Sequence, residues 1–474
     1  MIVALLLILP LLVSFVLFSG KIGQGSKSLA IGSSIVSLAI SLVAGAAFVS
    51  APATVLTFDS CSLGLPLLDF VFKIDAPSML LILLTTLLTP IIIASTDKSE
   101  GKGHNFYALI LLMEAALIGV FSASDMISFY IFWELALIPI FFITAFWGGA
   151  DAKRITMKFF IYTVVGSLLM LVAILYMYTL TPGAHSFTFE AFYALKLPYE
   201  VQLPLFLAFF AAFAIKIPLF PFHSWQAETY NVSPVQGSML LAGIMLKMGL
   251  YGLFRFILPM FPDVLANGAN LFLYLTLFGV IYGAYIAITQ PHLKKLIAFA
   301  SLSHVGIIAL GLLTQTKYGI EGAFLQMFSH GVNVVGFFLC YYVIVKRTKT
   351  DVIANLGGIA KSAPKFATIF LIIVLANVAL PLTNSFVGEF LILLGLFQYN
   401  QVLAAIAGLT VILGAVYMLK MYQKVMYGEK NSVTESFEDL TAGEMILFVP
   451  IVVCIFLIGI YPSFVLRILE TVAL

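Results

Sequence analysis

Apolar runs recur along this chain at the length needed to cross a bilayer, and that recurrence decides the fold class before any other feature is read. A helix rises 1.5 Å per residue, so about 20 apolar residues span a hydrocarbon core of about 30 Å. Fourteen such runs lie near 1–18, 29–50, 77–96, 105–123, 125–147, 156–181, 203–228, 233–258, 267–290, 293–314, 319–346, 366–400, 402–427 and 441–464. The chain is 62% hydrophobic and 10% charged, where a soluble domain is about 45–50% apolar and about 25% charged. Mean hydropathy is +1.10. The expected fold is an all-α polytopic membrane protein of about 14 transmembrane helices, in one membrane domain over residues 1–474. Connections are short, which leaves no room for a soluble domain or a linker. A net charge of +2 with no basic run gives no footing for nucleic acid. Cys61, Cys340 and Cys454 lie far apart without metal-ligand spacing, and no haem-attachment, phosphate-loop or dinucleotide motif is present. The run 1–18 lacks a basic leader and a small-residue cleavage site, so it reads as a retained helix.

Cations in the loops give the orientation. Loops after odd-numbered helices hold seventeen Lys and Arg, including Lys98, Lys153, Lys294, Lys346, Lys420 and Lys424; the opposite side holds five. The odd loops therefore face the cytoplasm, and both termini face the outer side of what is expected to be a bacterial cytoplasmic membrane. Two helices are interrupted by proline: the seventh at Pro218 and Pro221, the twelfth at Pro381. Proline removes a backbone donor. Within a bilayer such a break is tolerated only where protein or water takes over the freed groups. Helices 4–8 (105–258) and 9–13 (267–427) form two sets of five, each with its fourth member broken, between N-terminal helices in 1–104 and a last helix at 441–464. Five is odd, so the second set would lie inverted relative to the first, with working sites at the broken helices.

The remaining two of the 24 Lys and Arg lie inside apolar runs. Lys247 falls about 13 residues into its helix, roughly 20 Å deep, where a lysine costs about 2.5–3.5 kcal/mol on insertion scales. Lys216 stands two residues before the first break. Glu114, Glu134, His304, His330 and Glu389 are also set deep in their helices or just past a break. Carboxylate, ammonium and imidazole can all change charge state when desolvated, so a row of them resembles a proton relay. Arg255 lies near the end of its helix and can snorkel to the interface. His223 lies in the first break and reads as part of its hydrogen bonding or its aqueous access. Plainer readings stand beside these. Glu134 and Lys216 could be a static ion pair, each histidine a satisfied helix contact worth about 0.6 kcal/mol, and the two histidines a haem pair. Glu114 could be a side branch. Gly237, Gly243, Gly249 and Gly252 suit close packing of the eighth helix.

Several stretches carry a family likeness: Phe129–Gly149 (FYIFWELALIPIFFITAFWGG), Lys216–Trp225 (KIPLFPFHSW), Gly237–Gly252 (GSMLLAGIMLKMGLYG), Leu293–Gly306 (LKKLIAFASLSHVG) and Phe386–Leu393 (FVGEFLIL). Together they resemble the antiporter-like subunits of respiratory complex I, over nearly the whole chain. Within that family the chain is similar to the type with glutamate on the broken twelfth helix, here Glu389, and it ends at Leu474 without a lateral helix. The resemblance implies fourteen helices with the seventh and twelfth discontinuous. It implies a proton path from Glu134 and Lys216 through Lys247 and the histidines to Glu389, in a translocating subunit of an NADH:quinone oxidoreductase. It also implies no redox cofactor in this chain, and as partners neighbouring membrane subunits, protons, internal water and lipid. Two departures stand out. Gln226-Ala-Glu228-Thr-Tyr230 replaces the family's Leu-Pro-Asp-Ala-His, and Pro381-Leu382-Thr383 stands where Pro-Gly before Thr or Ser is usual. Alternatives within reach of the same motifs are the D-type subunit of a multisubunit sodium/proton antiporter, the membrane subunit of an energy-converting hydrogenase, and an inert spacer.

Overall fold

The computed structural model describes residues 2–51, 53–59, 70–97, 101–183 and 185–470, without the side chains of 59 and 269. Cys61 and Lys98 lie outside the described residues. Helix dominates, and the protein is an integral multi-pass membrane protein. Among the described residues twelve helices are long and apolar enough to cross a membrane, and two further apolar helices, Ile2–Phe18 and Pro364–Asn377, are shorter. The seventh run is helical over Tyr199–Lys216, turns through 217–225 and resumes as Gln226–Val232. The twelfth is helical over Pro364–Asn377 and again over Asn384–Tyr399. Helix lies where apolar runs predict it because in lipid a backbone can satisfy its polar groups only internally. The connection between the second and third runs adds what apolar periodicity does not signal, an antiparallel hairpin of Leu56–Asp59 with Val71–Ile74.

Contacts divide the chain into two compact units. The first comprises 1–218, 244–272 and 467–474. Within it Ile2–Phe18, Ser26–Ser50, Ala76–Ala94 and His104–Ser122 pack together. Small hydroxyls tie them: Ser14 Oγ donates to the Ala108 carbonyl at 2.8 Å, and the Ser41 and Thr86 hydroxyls meet at 2.6 Å. Asp75 caps helix Ala76–Ala94 by accepting from the Ser78 N–H, and it also receives Arg255 Nη2 at 2.6 and 2.7 Å. Arg255 Nε donates to the Tyr251 hydroxyl at 3.1 Å. A carboxylate 180 positions earlier thus neutralises Arg255, with 18% of the arginine side chain and 32% of the aspartate side chain exposed. Lys73 of the hairpin pairs with Glu190 at 2.9 Å. Burial works to raise the Glu190 carboxyl, but this ammonium outweighs it and holds the group below its usual range.

The second unit comprises 219–243 and 273–466. Its centre is helix Lys317–Thr348, buried on nearly every face and packed against Leu293–Leu313 and Asn384–Tyr399. Lys294 Nζ donates to the carbonyls of Ser233 (2.6 Å) and Asn231 (3.2 Å), which caps the short helix that follows the first break. Arg347 forks onto Glu444 at 2.8 and 3.1 Å. Glu444 is also part of a capping box with Thr441 that starts helix Ala442–Ile460. Asp439, in the preceding loop, accepts from the N–H groups of Lys365 and Phe366. Cys340 and Cys454 are free thiols.

Candidate functional site

In the first unit, helix Tyr199–Lys216 ends on Lys216, whose side chain is buried. Its ammonium lies 5.2 Å from the centroid of the Trp133 ring. A desolvated cation over an indole face gains about 2 kcal/mol. Glu134, the next residue on helix Met126–Leu135, is the carboxylate whose charge acts on Lys216. The ammonium thus has an aromatic face beside it and a carboxylate that acts on it by charge. Phe213 braces the indole at 5.6 Å between ring centroids.

Glycine brings the next helix close. A Cβ at Gly249 would lie 2.5 Å from Ile217 Cγ1 and 3.1 Å from the Phe213 carbonyl oxygen. One at Gly252 would run into the Phe213 ring. Only bare backbone fits there, which explains both glycines. Lys247 is fully buried. Its α-helical segment Leu246–Gly252 is flanked by wider i→i+5 turns at Leu241–Met245 and Leu253–Ile257. Such turns are rare and concentrate at functional sites. Glu114 is also buried, and neither of its carboxylate oxygens has a hydrogen-bond partner among the described residues.

The second unit gathers the other predicted residues. The rings of His304 and His330 stand 6.0 Å apart. Ser301 Oγ contacts His330 Nε2 at 3.1 Å, and the Tyr417 hydroxyl contacts His304 Nε2 at 3.4 Å. His304 and Glu389 line one cavity together with Ser303, Asn377 and Thr410. Its volume is about 10 Å³, room for about one water molecule. Gln326 Nε2 donates to Glu389 Oε1 at 3.0 Å. The break just before Glu389 is held by a reciprocal amide pair: Asn333 and Asn384 exchange hydrogen bonds at 3.0 Å, and Asn333 also reaches Ser385 Oγ at 2.9 Å. Backbone freed at 378–383 closes on itself, with the Thr383 N–H and hydroxyl both donating to the Leu380 carbonyl. His223 lies in the first break, half-buried, its ring 5.6 Å from Phe220 and 5.1 Å from Tyr282. It packs among aromatics and lies outside the histidine pair.

Glu389 is seated by close contact between helices Lys317–Thr348 and Asn384–Tyr399. A Cβ on Gly322 would come within 2.7 Å of Ile392 N and 2.8 Å of the Gly388 carbonyl, both backbone. Gly322→Ala is expected to force the two helices apart at a cost of about 1–3 kcal/mol. Gly408→Ala meets nothing within 4 Å and serves as the control. Thermal unfolding of the purified protein should show a lower midpoint for the first variant and none for the second.

The deep residues in apolar runs could be found from sequence because each is costly in lipid. Their neutral partners, Trp133, Gln326, Asn333, Asn384 and Tyr417, give no such signal.

Residues 123–414 match the family described as NADH:quinone oxidoreductase/Mrp antiporter, TM. The chain belongs to this family. It is 41% identical over 411 residues to NADH-quinone oxidoreductase subunit M of Rhodobacter capsulatus, covering 84% of this chain and 80% of the relative. It is 38% identical over 407 residues to NADH-ubiquinone oxidoreductase chain 4 of Marchantia polymorpha, covering 85% and 82%. Among solved structures it superimposes on a chain of respiratory complex I from Thermus thermophilus with a TM-score of 0.90 at 33% identity, covering 99% of this chain and 97% of that one. A chain of the Mrp complex from Dietzia sp. DQ12-45-1b shares the fold alone, with a TM-score of 0.87 at 19% identity and coverage of 98% and 96%.

Proposed function

We propose that this chain is the M-type, proton-translocating subunit in the membrane arm of an NADH:quinone oxidoreductase. The observation that carries the reading is Glu389: a buried carboxylic acid just past a helix break, sharing a small polar cavity with His304. Isolated carboxylates are not placed in lipid for packing. In the relay we infer, Lys216 holds a proton while Glu134 is charged and near. An unpaired ammonium in a low-dielectric interior is disfavoured, so loosening that coupling drives the proton onward. Lys247 receives it, and the His330 and His304 set passes it through water to Glu389, which releases it to the outer side. The drive comes from quinone reduction in other subunits, which hold the flavin, the iron–sulfur clusters and the quinone; this chain contributes no redox centre. Its neighbours are the other antiporter-like subunits, in a bacterial cytoplasmic membrane, with both termini outside.

Purification of the tagged chain in mild detergent tests this. The expected result is copurification with an assembly that oxidises NADH and reduces quinone, and that acidifies vesicles in the absence of sodium. Copurification with a nickel–iron protein, or sodium-dependent exchange without NADH oxidation, would replace the reading with a hydrogenase or an antiporter.

A further inference from the structure

The relay residues do not account for a second pocket in the same unit. About 240 Å³ in volume, it is lined by Gln290, Leu296, Ala354, Tyr417, Lys420 and Lys424 among others. These residues lie at the end of helix Pro262–Thr289, in the first turn of Leu293–Leu313, in the turn Ile353–Asn355 and in the last turns of Gln401–Met426. All four places lie at the loops that hold Lys294, Lys295, Lys349 and Lys430, on the side where the sequence places the loop cations. Ala354, Lys420 and Lys424 are exposed, so the pocket opens outward, while Tyr417 at its base is 2% exposed.

One face of helix Gln401–Met426 joins this pocket to the buried one. Thr410 and Gly414 line the cavity that holds His304 and Glu389, and Tyr417, Met421 and Lys424 line the open pocket. The spacings are four, three, four and three, which keep all five residues on one helical stripe. Gly414 leaves space beside the phenol: a Cβ there would lie 3.8 Å from the Tyr417 hydroxyl. That hydroxyl stands 3.4 Å from His304 Nε2. Tyr417 therefore stands between a pocket open on the lysine-rich side and the small cavity that His304 and Glu389 line.

We propose that Tyr417 is the proton gate of an intake on the lysine-rich face, leading from the open pocket to His304. The inference rests on the relay proposed above and adds to it a second point of loading. A hydronium ion in the pocket transfers a proton to the phenol oxygen while the phenol's own proton moves to His304 Nε2. Two O–H bonds break, one in the hydronium ion and one in the phenol, while a new phenol O–H bond and one N–H bond form. Water is left behind, the phenol is unchanged and His304 becomes imidazolium. Rotation of the hydroxyl resets the gate. A tyrosine suits this role because its hydroxyl both donates and accepts, while its ring blocks bulk water.

The test uses the assembled complex in inverted vesicles, reading the proton-to-electron ratio with NADH as donor. Tyr417→Phe removes only the hydroxyl and is expected to lower the ratio at least twofold relative to wild type. Tyr417→His, which can again accept and donate, is expected to recover part of it. Ala354→Cys, modified after assembly by a bulky thiol reagent, is expected to lower the ratio by plugging the pocket, with the wild-type chain under the same reagent as control. A wild-type ratio in Tyr417→Phe overturns the proposal, and so does equal loss in the Phe and His variants, which would assign the hydroxyl to packing. If Tyr417→Phe does not assemble, the plugged Ala354→Cys decides, and full pumping there overturns the proposal. Lys216→Ala in parallel separates the two readings: its failure with Tyr417→Phe intact would remove the intake and leave the relay.

Discussion

Lys216→Ala is expected to abolish the proton transfer carried by this chain, lowering it at least tenfold, or about 1.4 kcal/mol on the barrier. The ammonium is buried over Trp133 and under the influence of Glu134. Deleting it removes both the carrier and the group that Glu134 acts on. Lys216→Arg sharpens the test. Arginine keeps the positive charge and stacks well on an indole, but it does not release its proton in proteins. The arginine variant should therefore assemble as wild type and pump as poorly as the alanine variant. Vesicle acidification, measured beside NADH oxidation, reads both properties. Normal pumping by Lys216→Arg would reduce the residue to a fixed charge and revive the static ion pair.

Glu389→Gln is expected to produce the second large loss. Glutamine matches the shape of the acid, and its carbonyl can still accept from Gln326 Nε2, the contact now made at 3.0 Å. The fold should survive with unchanged thermal stability, because a buried neutral amide with a partner is tolerated. Proton release should stop, because an amide does not titrate. Glu389→Asp retains a titratable group and is expected to keep part of the activity. The comparison of Gln with Asp in the same vesicle assay distinguishes a role in charge from a role in packing. Equal, wild-type ratios in both would remove Glu389 from the relay.

Much of the architecture could be read from sequence because a bilayer imposes one strong rule. Backbone that meets lipid satisfies its polar groups within a helix, so length and hydropathy marked the apolar helices and proline marked the two breaks. The same rule made Lys216, Lys247, His304, His330 and Glu389 conspicuous, and the structure encloses all five. The pairing of Arg255 with Asp75 was not foreseen, because the partner lies 180 residues earlier and no local pattern announces so distant a pair. The wider turns flanking Lys247 could not be foreseen, since i→i+5 geometry has no residue signature in an apolar run. Tyr417, Gln326 and Asn333 stayed hidden for a different reason. Neutral polar side chains are ordinary in membrane helices, so their significance emerges only when a cavity or an acid is found beside them.

Leu382 occupies a backbone conformation that suits glycine, with φ at 74°. A side chain there carries about 1–3 kcal/mol of local strain. Gly459 of helix Ala442–Ile460 presses against the Leu382 carbonyl, where a Cβ would come too close to fit. The second interruption is thus a tensioned joint wedged by a neighbouring rod, seven residues ahead of Glu389. Its geometry belongs to the last long helix as much as to its own sequence, so a displacement of that rod would be transmitted to the acid as a change of tilt.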